Sequence, residues 1–382
     1  MSKRAKAKTE KKREASKFEK SLVPAFERNY PTRFDQCVHA VKTTDLLRKL
    51  CERETIESGL PNIMLYGPEG SGKYARAIIA LCELFQLPTL RNGTVKAIDP
   101  NTGGFTVLPG KSGTKKTQKA VCIFATQIHC EIDIQQSNAE KSLIKFLDYY
   151  SRTKNAFLGC HKYVIIRHAN RISQRTQNAL RRVMETKTNT VRFLVTSKSK
   201  GAWIEPLQSR FLCLPVESPR EKDAIAILKH VATKENWKLT PTRIKKILEN
   251  SRYGVAGHIH LTEMLMVAEG SFISMIGKRS FKVYVPDRVR AVAMIIQEMK
   301  HGNREKIRNV LEKIGVLMAD TFVMLLTGDL FRELLGMVNE EKKFKLIEIT
   351  AYWNHRLSDD TIFYPLLAAE AYVFAVCDLL GW

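Results

Sequence analysis

Gly67-Pro68-Glu69-Gly70-Ser71-Gly72-Lys73 is the stretch of this sequence best suited to chemistry. Glycines at 67, 70 and 72 let backbone N–H groups converge on one anion, and Lys73 adds a charge that reaches the β- and γ-phosphates of a nucleotide. The pattern G-x-x-x-x-G-K carries that meaning only between a strand and a helix. Both are predicted. Pro61–Tyr66 is a short apolar run of buried-strand type, and from Ala75 to Phe85 the residues Ala75, Ile78, Ile79, Cys82 and Phe85 fall on one helical face. Gly67, Pro68, Glu69, Gly70, Ser71, Gly72, Lys73 and Tyr74 are therefore read as the nucleotide-binding segment, with ATP or ADP as its ligand.

Tyr74 departs from the pattern. That position ordinarily carries a serine or threonine whose hydroxyl ligates magnesium, and a phenol oxygen sits several ångströms (~4 Å) further from the backbone. The strand that should end in an acidic pair, Tyr163–Ile166, runs instead into Arg167-His168-Ala169-Asn170. A cation stands where metal chemistry wants an anion, so magnesium ligation and hydrolysis at this loop are not expected. No metal site is predicted elsewhere: the eight cysteines form no CxxC pair, and His129-Cys130 and Cys160-His161 are adjacent pairs rather than ligand spacings.

A second chemistry is electrostatic. Residues 162–200 hold ten basic side chains and one acid, Glu185. On the helix predicted from Ser173 to about Thr186, Ala179, Leu180, Val183 and Met184 gather on one side. Arg175, Asn178, Arg181 and Arg182 lie on the other. A face so uniformly basic suits a phosphate backbone, and Arg175, Arg181 and Arg182 are the candidate DNA contacts, with Lys141 and Lys145 on the preceding helix. For Arg181 alone, an i,i+4 pair with Glu185 is an equally good account.

The elements that position these residues alternate strand and helix through residue 217, which implies an α/β domain with a parallel sheet and flanking helices. Phe105–Leu108 and Ala120–Ala125, punctuated by glycine and proline, predict an inserted β-hairpin over about 103–126, with Lys111, Lys115, Lys116 and Lys119 at its tip. From Pro219 the pattern is helical: a small group over 218–277, then longer amphipathic helices over 278–382. Residues 1–21 carry nine basic and three acidic residues and read as a solvated tail without a signal peptide. The apolar stretch Phe363–Trp382 contains Glu370 and Asp378, so a buried helix is expected rather than a membrane span.

The whole chain of 382 residues carries a formal net charge of +23, with 44% hydrophobic residues. That composition supports real cores, excludes chain-wide disorder or a collagen-like repeat, and points to a polyanionic partner. Free thiols imply a reducing intracellular compartment.

Several motifs together resemble a known family. Pro61–Pro68, Gln177-Asn178-Ala179-Leu180-Arg181-Arg182-Val183-Met184-Glu185 and Ile204-Glu205-Pro206-Leu207-Gln208-Ser209-Arg210 are similar, in order and spacing, to the small subunits of replication factor C, the AAA+ sliding-clamp loader. Ala351–Leu357 resembles the collar of the subunit whose own ATP site does not hydrolyse. The resemblance implies an AAA+ domain at 22–217, a lid at 218–277 and a collar at 278–382. It implies a hetero-oligomeric partnership, a pentamer, with other loader subunits, a sliding clamp and primer–template DNA, and no membrane. A nuclear location, or a viral replication site, and a place in replication and repair follow from it as well. It assigns Arg210 as an arginine finger offered in trans to a neighbour's ATP, and it marks departures at Tyr74, Arg167–Asn170, Lys198, His258 and Phe211. An ordinary salt-bridged surface arginine is the plainer account of Arg210. An active ATPase subunit of the same fold and a stand-alone DNA-binding scaffold stay open beside the main reading.

Overall fold

The computed structural model describes residues 24–90, 93–99, 102–106, 121–136, 139–154, 160–253, 257–273, 284–317, 322–357 and 365–382. The chain divides into two compact units, Met1–Ile227 and Leu228–Trp382.

The first unit is built on one eight-stranded sheet. In chain order its strands are β1 (Ile63–Tyr66), β2 (Thr94–Ile98), β3 (Phe105–Thr106), β4 (Cys122–Ala125), β5 (His129–Asp133), β6 (Lys162–Arg167), β7 (Val191–Ser197) and β8 (Leu212–Pro215). Their spatial order is β3-β2-β4-β5-β6-β7-β1-β8. β5, β6, β7, β1 and β8 run parallel. Helices α1 (Val41–Arg53), α2 (Lys73–Leu84), α3 (Ala139–Tyr150), α4 (Gln174–Thr186) and the single turn α5 (Glu205–Gln208) accompany them. One face of the sheet packs Ile63, Leu65, Tyr163 and Ile165 against Ala77, Ile78 and Leu81 of α2. The other packs Val164, Ile166 and Phe193 against Phe146 of α3 and Leu180 and Val183 of α4. Burial on both faces is why β1 and β6 read as continuous apolar runs.

Among the described residues, the two segments expected to pair as a hairpin over 103–126 do not pair with each other. β3 and β4 flank β2 on its two edges, pairing Ile98 with Phe105 and Ala97 with Cys122, so an unforeseen strand separates them. The hairpin of this region is β4–β5, joined by Thr126-Gln127-Ile128, because so short a link permits only an antiparallel pair. Thr126 closes the turn by accepting the N–H groups of Ile128 and His129 at 3.2 and 3.0 Å. The parallel sheet expected from sequence is thus extended at one edge by three strands that pair antiparallel. The lysines of the supposed tip lie outside the described residues, as does the tail 1–21.

The second unit contains α7 (Pro241–Asn250), α8 (Leu261–Ile273), α9 (Asp287–His301), α10 (Arg304–Leu317), α11 (Glu340–Leu357) and α12 (Pro365–Leu380). The division between units falls inside α6 (Glu221–Glu235). Between α10 and α11, Phe322–Met337 is helical with a π-helical turn at Leu325–Leu330. His258 does not begin a helix; His258–Ile259 pairs with Arg252–Tyr253 as a two-stranded ladder. The boundary expected near 277 falls outside the described residues. On either side of it, Arg288 of α9 donates to Glu263 of α8 at 2.7 and 3.0 Å and lies 3.3 Å from Asp329. In α12, Glu370 is 4% exposed and takes both arms of Arg308 at 2.9 and 3.0 Å, beside buried Tyr372, Val373 and Val376. Among the described residues no helix is long and apolar enough to cross a membrane.

Candidate functional site

The run Gly67–Lys73 forms the predicted loop between β1 and α2. Gly67, Gly70 and Gly72 adopt φ of 149°, 67° and 80°, a region that favours glycine. At Gly67 a Cβ would also come within 2.1 Å of the Val216 carbonyl oxygen, so the turn tolerates no side chain there. Lys73 opens α2 and folds its ammonium back onto the carbonyls of Gly67 and Pro68, at 2.8 and 2.5 Å. Burial pulls its pKa down to about 8, against the opposing pull of Glu69. Behind the loop lies Arg76, 1% exposed, donating to Thr44 Oγ1, Ser71 O, Gly72 O and His39 O. Among the described residues no carboxylate pairs with it. The Ser71 hydroxyl, fully buried in the loop, has no hydrogen-bond partner, and neither has His39 Nδ1. A cradle of N–H groups with a buried cation, a lysine and an unsatisfied hydroxyl suits a phosphate group.

Tyr74 finds a different partner from the metal its position implies. Its hydroxyl donates to the carboxylate of Glu131 on β5, 2.8 and 2.7 Å from the two oxygens. Glu131 is 6% exposed and also takes Nε2 of His129 at 2.9 Å, while His129 Nδ1 lies 2.8 Å from Thr126 Oγ1. The Arg167 guanidinium, ending β6, sits 4.5 Å from the centroid of the Tyr74 ring. Burial, then the Glu131 charge, pushes the phenol pKa well above its ordinary value. These residues do not fit magnesium: the hydroxyl and carboxylate are committed to each other, and the adjacent strand end is a guanidinium.

β7 neighbours β1, which brings Lys198 to the loop, where its ammonium pairs with Glu69 at 2.8 Å. At the C-terminal ends of the neighbouring parallel strands β5 and β6, His168 Nδ1 lies 2.8 Å from Asp133, the residue in register with Arg167. Burial works to raise the Asp133 pKa, but the His168 ring and the Gln135 N–H outweigh it and hold the carboxyl below its usual range.

Arg210 follows α5 and remains partly exposed. It donates to Pro206 O at 2.6 Å and ion-pairs with Glu185 of α4. Both plainer accounts raised by the sequence therefore apply here, since Arg181 also reaches Glu185, at 3.7 Å. Phe211 turns inward and meets Trp203 edge-on, with centroids 5.7 Å apart.

Helix α4 begins where Ser173 predicts, with the Ser173 hydroxyl accepting the Thr176 N–H at 3.4 Å. Glu140 on α3 accepts the Ser173 N–H at 2.8 Å and so ties the two helices together. Buried Gln177 donates to Ile172 O and Ala202 O and accepts the Ile204 N–H, at 3.0, 2.9 and 2.8 Å, fixing α4 against the segment that carries Arg210. Arg175 and Arg182, two turns apart, are exposed, as are Lys141 and Lys145 on α3. The structure thus places four of the five candidate DNA contacts on exposed helix surface, with Arg181 half-buried.

Sequence reading missed Glu131, His129 and Asp133. A signal was there: His129, Glu131 and Asp133 alternate with Cys130 and Ile132, the period of a strand whose polar set faces one way.

A phosphate loop between β1 and α2, with parallel order β5-β6-β7-β1-β8 and helices on both faces, defines a P-loop α/β fold. No family model matches the chain. Among characterised proteins it is similar to replication factor C subunit 3 of Mus musculus, 24% identical over 314 residues (80% of this chain, 83% of that protein). It is likewise similar to probable replication factor C subunit 3 of Dictyostelium discoideum, 23% identical over 329 residues (84% and 89%). Replication factor C subunit 5 of Saccharomyces cerevisiae matches at 22% over 347 residues (86% and 92%). The sequence resemblance to replication factor C small subunits therefore holds, while subunits 3 and 5 match almost equally. Among solved structures, a DNA polymerase III gamma subunit-related protein of Thermotoga maritima superposes with a TM-score of 0.42 at 11% identity, covering 87% of this chain and 98% of that one.

Proposed function

We propose that this chain is a subunit of a hetero-oligomeric clamp loader that places a sliding clamp on primer–template DNA, in which it binds nucleotide without hydrolysing it. The observation that carries this reading is the fate of Tyr74. Its hydroxyl is bonded to Glu131 beneath Arg167, so the loop keeps a phosphate cradle while its metal position is filled by protein. Arg210 stays at the surface, where a finger must be to reach a neighbour's γ-phosphate. The resemblance to replication factor C subunits supplies the partners.

Within the loader, Lys73 and the loop N–H groups hold the phosphates, and Arg76 adds positive charge from behind. Arg175, Arg181 and Arg182, with Lys141 and Lys145, grip the DNA backbone without reading sequence. Residues 22–217 act as the AAA+ domain, 218–277 as the lid and 278–382 as the collar that joins neighbouring subunits. The nucleus, or a viral replication site, is the matching location.

Purification of the native protein with its companions tests this directly. AAA+ partners and a ring-shaped clamp are expected. Recovery of the chain alone on DNA favours the scaffold reading, and Lys73-dependent ATP turnover by the isolated chain overturns the non-hydrolysing role.

A further inference from the structure

The loop presents a charge problem that a P-loop ordinarily solves with a divalent cation. Nucleoside di- and triphosphates carry several negative charges near neutral pH, and magnesium normally offsets two of them. Here the residue that would hold the metal is bonded to a carboxylate, at 2.8 and 2.7 Å. That carboxylate is engaged a second time by His129 at 2.9 Å. Releasing it to a metal would leave the Tyr74 hydroxyl and the His129 N–H buried and unpaired, each at a cost of about 1–3 kcal/mol.

Positive charge is correspondingly plentiful. Lys73 is held in the loop by carbonyls rather than by a carboxylate. Arg76 is buried against the Ser71 and Gly72 carbonyls, and Arg167 covers the Tyr74 ring at 4.5 Å. The fully buried Ser71 hydroxyl, without a partner, is an independent mark of a missing ligand in the same loop.

We propose that this loop binds a nucleoside di- or triphosphate free of magnesium, with the Tyr74–Glu131 bond closing the metal position and Lys73, Arg76 and Arg167 supplying the compensating charge. The proposal rests on the nucleotide-binding part of the function above. It makes the nucleotide a chelator-resistant structural ligand of this subunit.

Titration of the full chain with ATP and with ADP, once in excess magnesium and once in excess EDTA, tests it. Dissociation constants in the two buffers are expected to agree within about fivefold. A weakening in EDTA by more than that overturns magnesium independence while leaving nucleotide binding intact. Absence of binding in both buffers overturns the nucleotide reading itself, and with it this proposal. Lys73→Ala is expected to abolish the signal in both buffers. The double variant Tyr74→Thr/Arg167→Asp restores a short hydroxyl and an acid, and its binding is expected to become stronger in magnesium than in EDTA. Should that variant fail to fold, the comparison on the unmodified chain decides alone.

Discussion

Glu131 and Arg76, beside the phosphate loop, are buried and committed to protein partners, whereas the cations on the outer sides of α3 and α4 stand exposed. Glu131 is held by Tyr74 and His129, and Arg76 by four oxygen acceptors. Arg175, Arg182 and Lys141 are long cations in solvent. A buried, fully bonded charge fixes one geometry and suits a ligand of one shape. Exposed cations adapt to any phosphate that passes, and their grip depends on salt. The two regions use the same residue types for opposite purposes.

Arg210 lies between these regimes, exposed yet paired, and its removal has the largest expected effect. In the assembled complex, Arg210→Ala is expected to slow hydrolysis at the neighbouring site it faces by about 10³-fold or more. Folding should be nearly unaffected, since an exposed ion pair contributes only about 0–1 kcal/mol. Unchanged single-site turnover in the complex removes the finger role and leaves the Glu185 pair as its whole account.

Acid is expected to strike the buried region first. Burial, and then the Arg76 charge, lower the His39 pKa from 6.5 to about 4. The unfolded chain therefore takes up this proton at a higher pH than the folded one. Stability is fully present above about pH 6.5 and falls as the pH drops towards 4, by on the order of 3 kcal/mol from this ring. Urea midpoints of the chain and of His39→Gln should diverge in slope across that window, and parallel curves would show that the ring is not shielded.

On the exposed side, Arg175→Ala, Arg181→Ala and Arg182→Ala combined should weaken duplex binding about equally for unrelated sequences. The slope of log K against log salt should fall by about 2–3, close to 0.9 for each phosphate that is no longer neutralised. Fluorescence anisotropy at several salt concentrations measures both, and an unchanged slope would remove α4 from the DNA interface. The smallest effect concerns one bond. Tyr74→Phe keeps the ring beneath Arg167 but leaves Glu131 a donor short, and should cost about 1–2 kcal/mol in thermal or urea unfolding.

The parts legible in the sequence are those with local causes. Three glycines and a lysine between an apolar run and a helical stripe predicted β1, the loop and α2. Ser173 ahead of an amphipathic run predicted the start of α4. What escaped depends on long-range pairing. β2 inserts between two segments that looked like a hairpin, and no local signal fixes which strand a short apolar run will join. Glu131 lies 57 positions from Tyr74, and only the sheet brings them together. The departure at Tyr74 was plain in the sequence, but its replacement chemistry was not.

The Tyr74–Glu131 bond also has an evolutionary consequence. A single change of Tyr74 to threonine would empty the space beneath Arg167 and leave the buried Glu131 carboxylate a donor short, with His129 still bonded to it. A single change of Glu131 would leave the hydroxyl of half-buried Tyr74 without its carboxylate. Each single substitution lowers stability on its own, so the two positions are coupled and a metal-binding loop here would need both to change together.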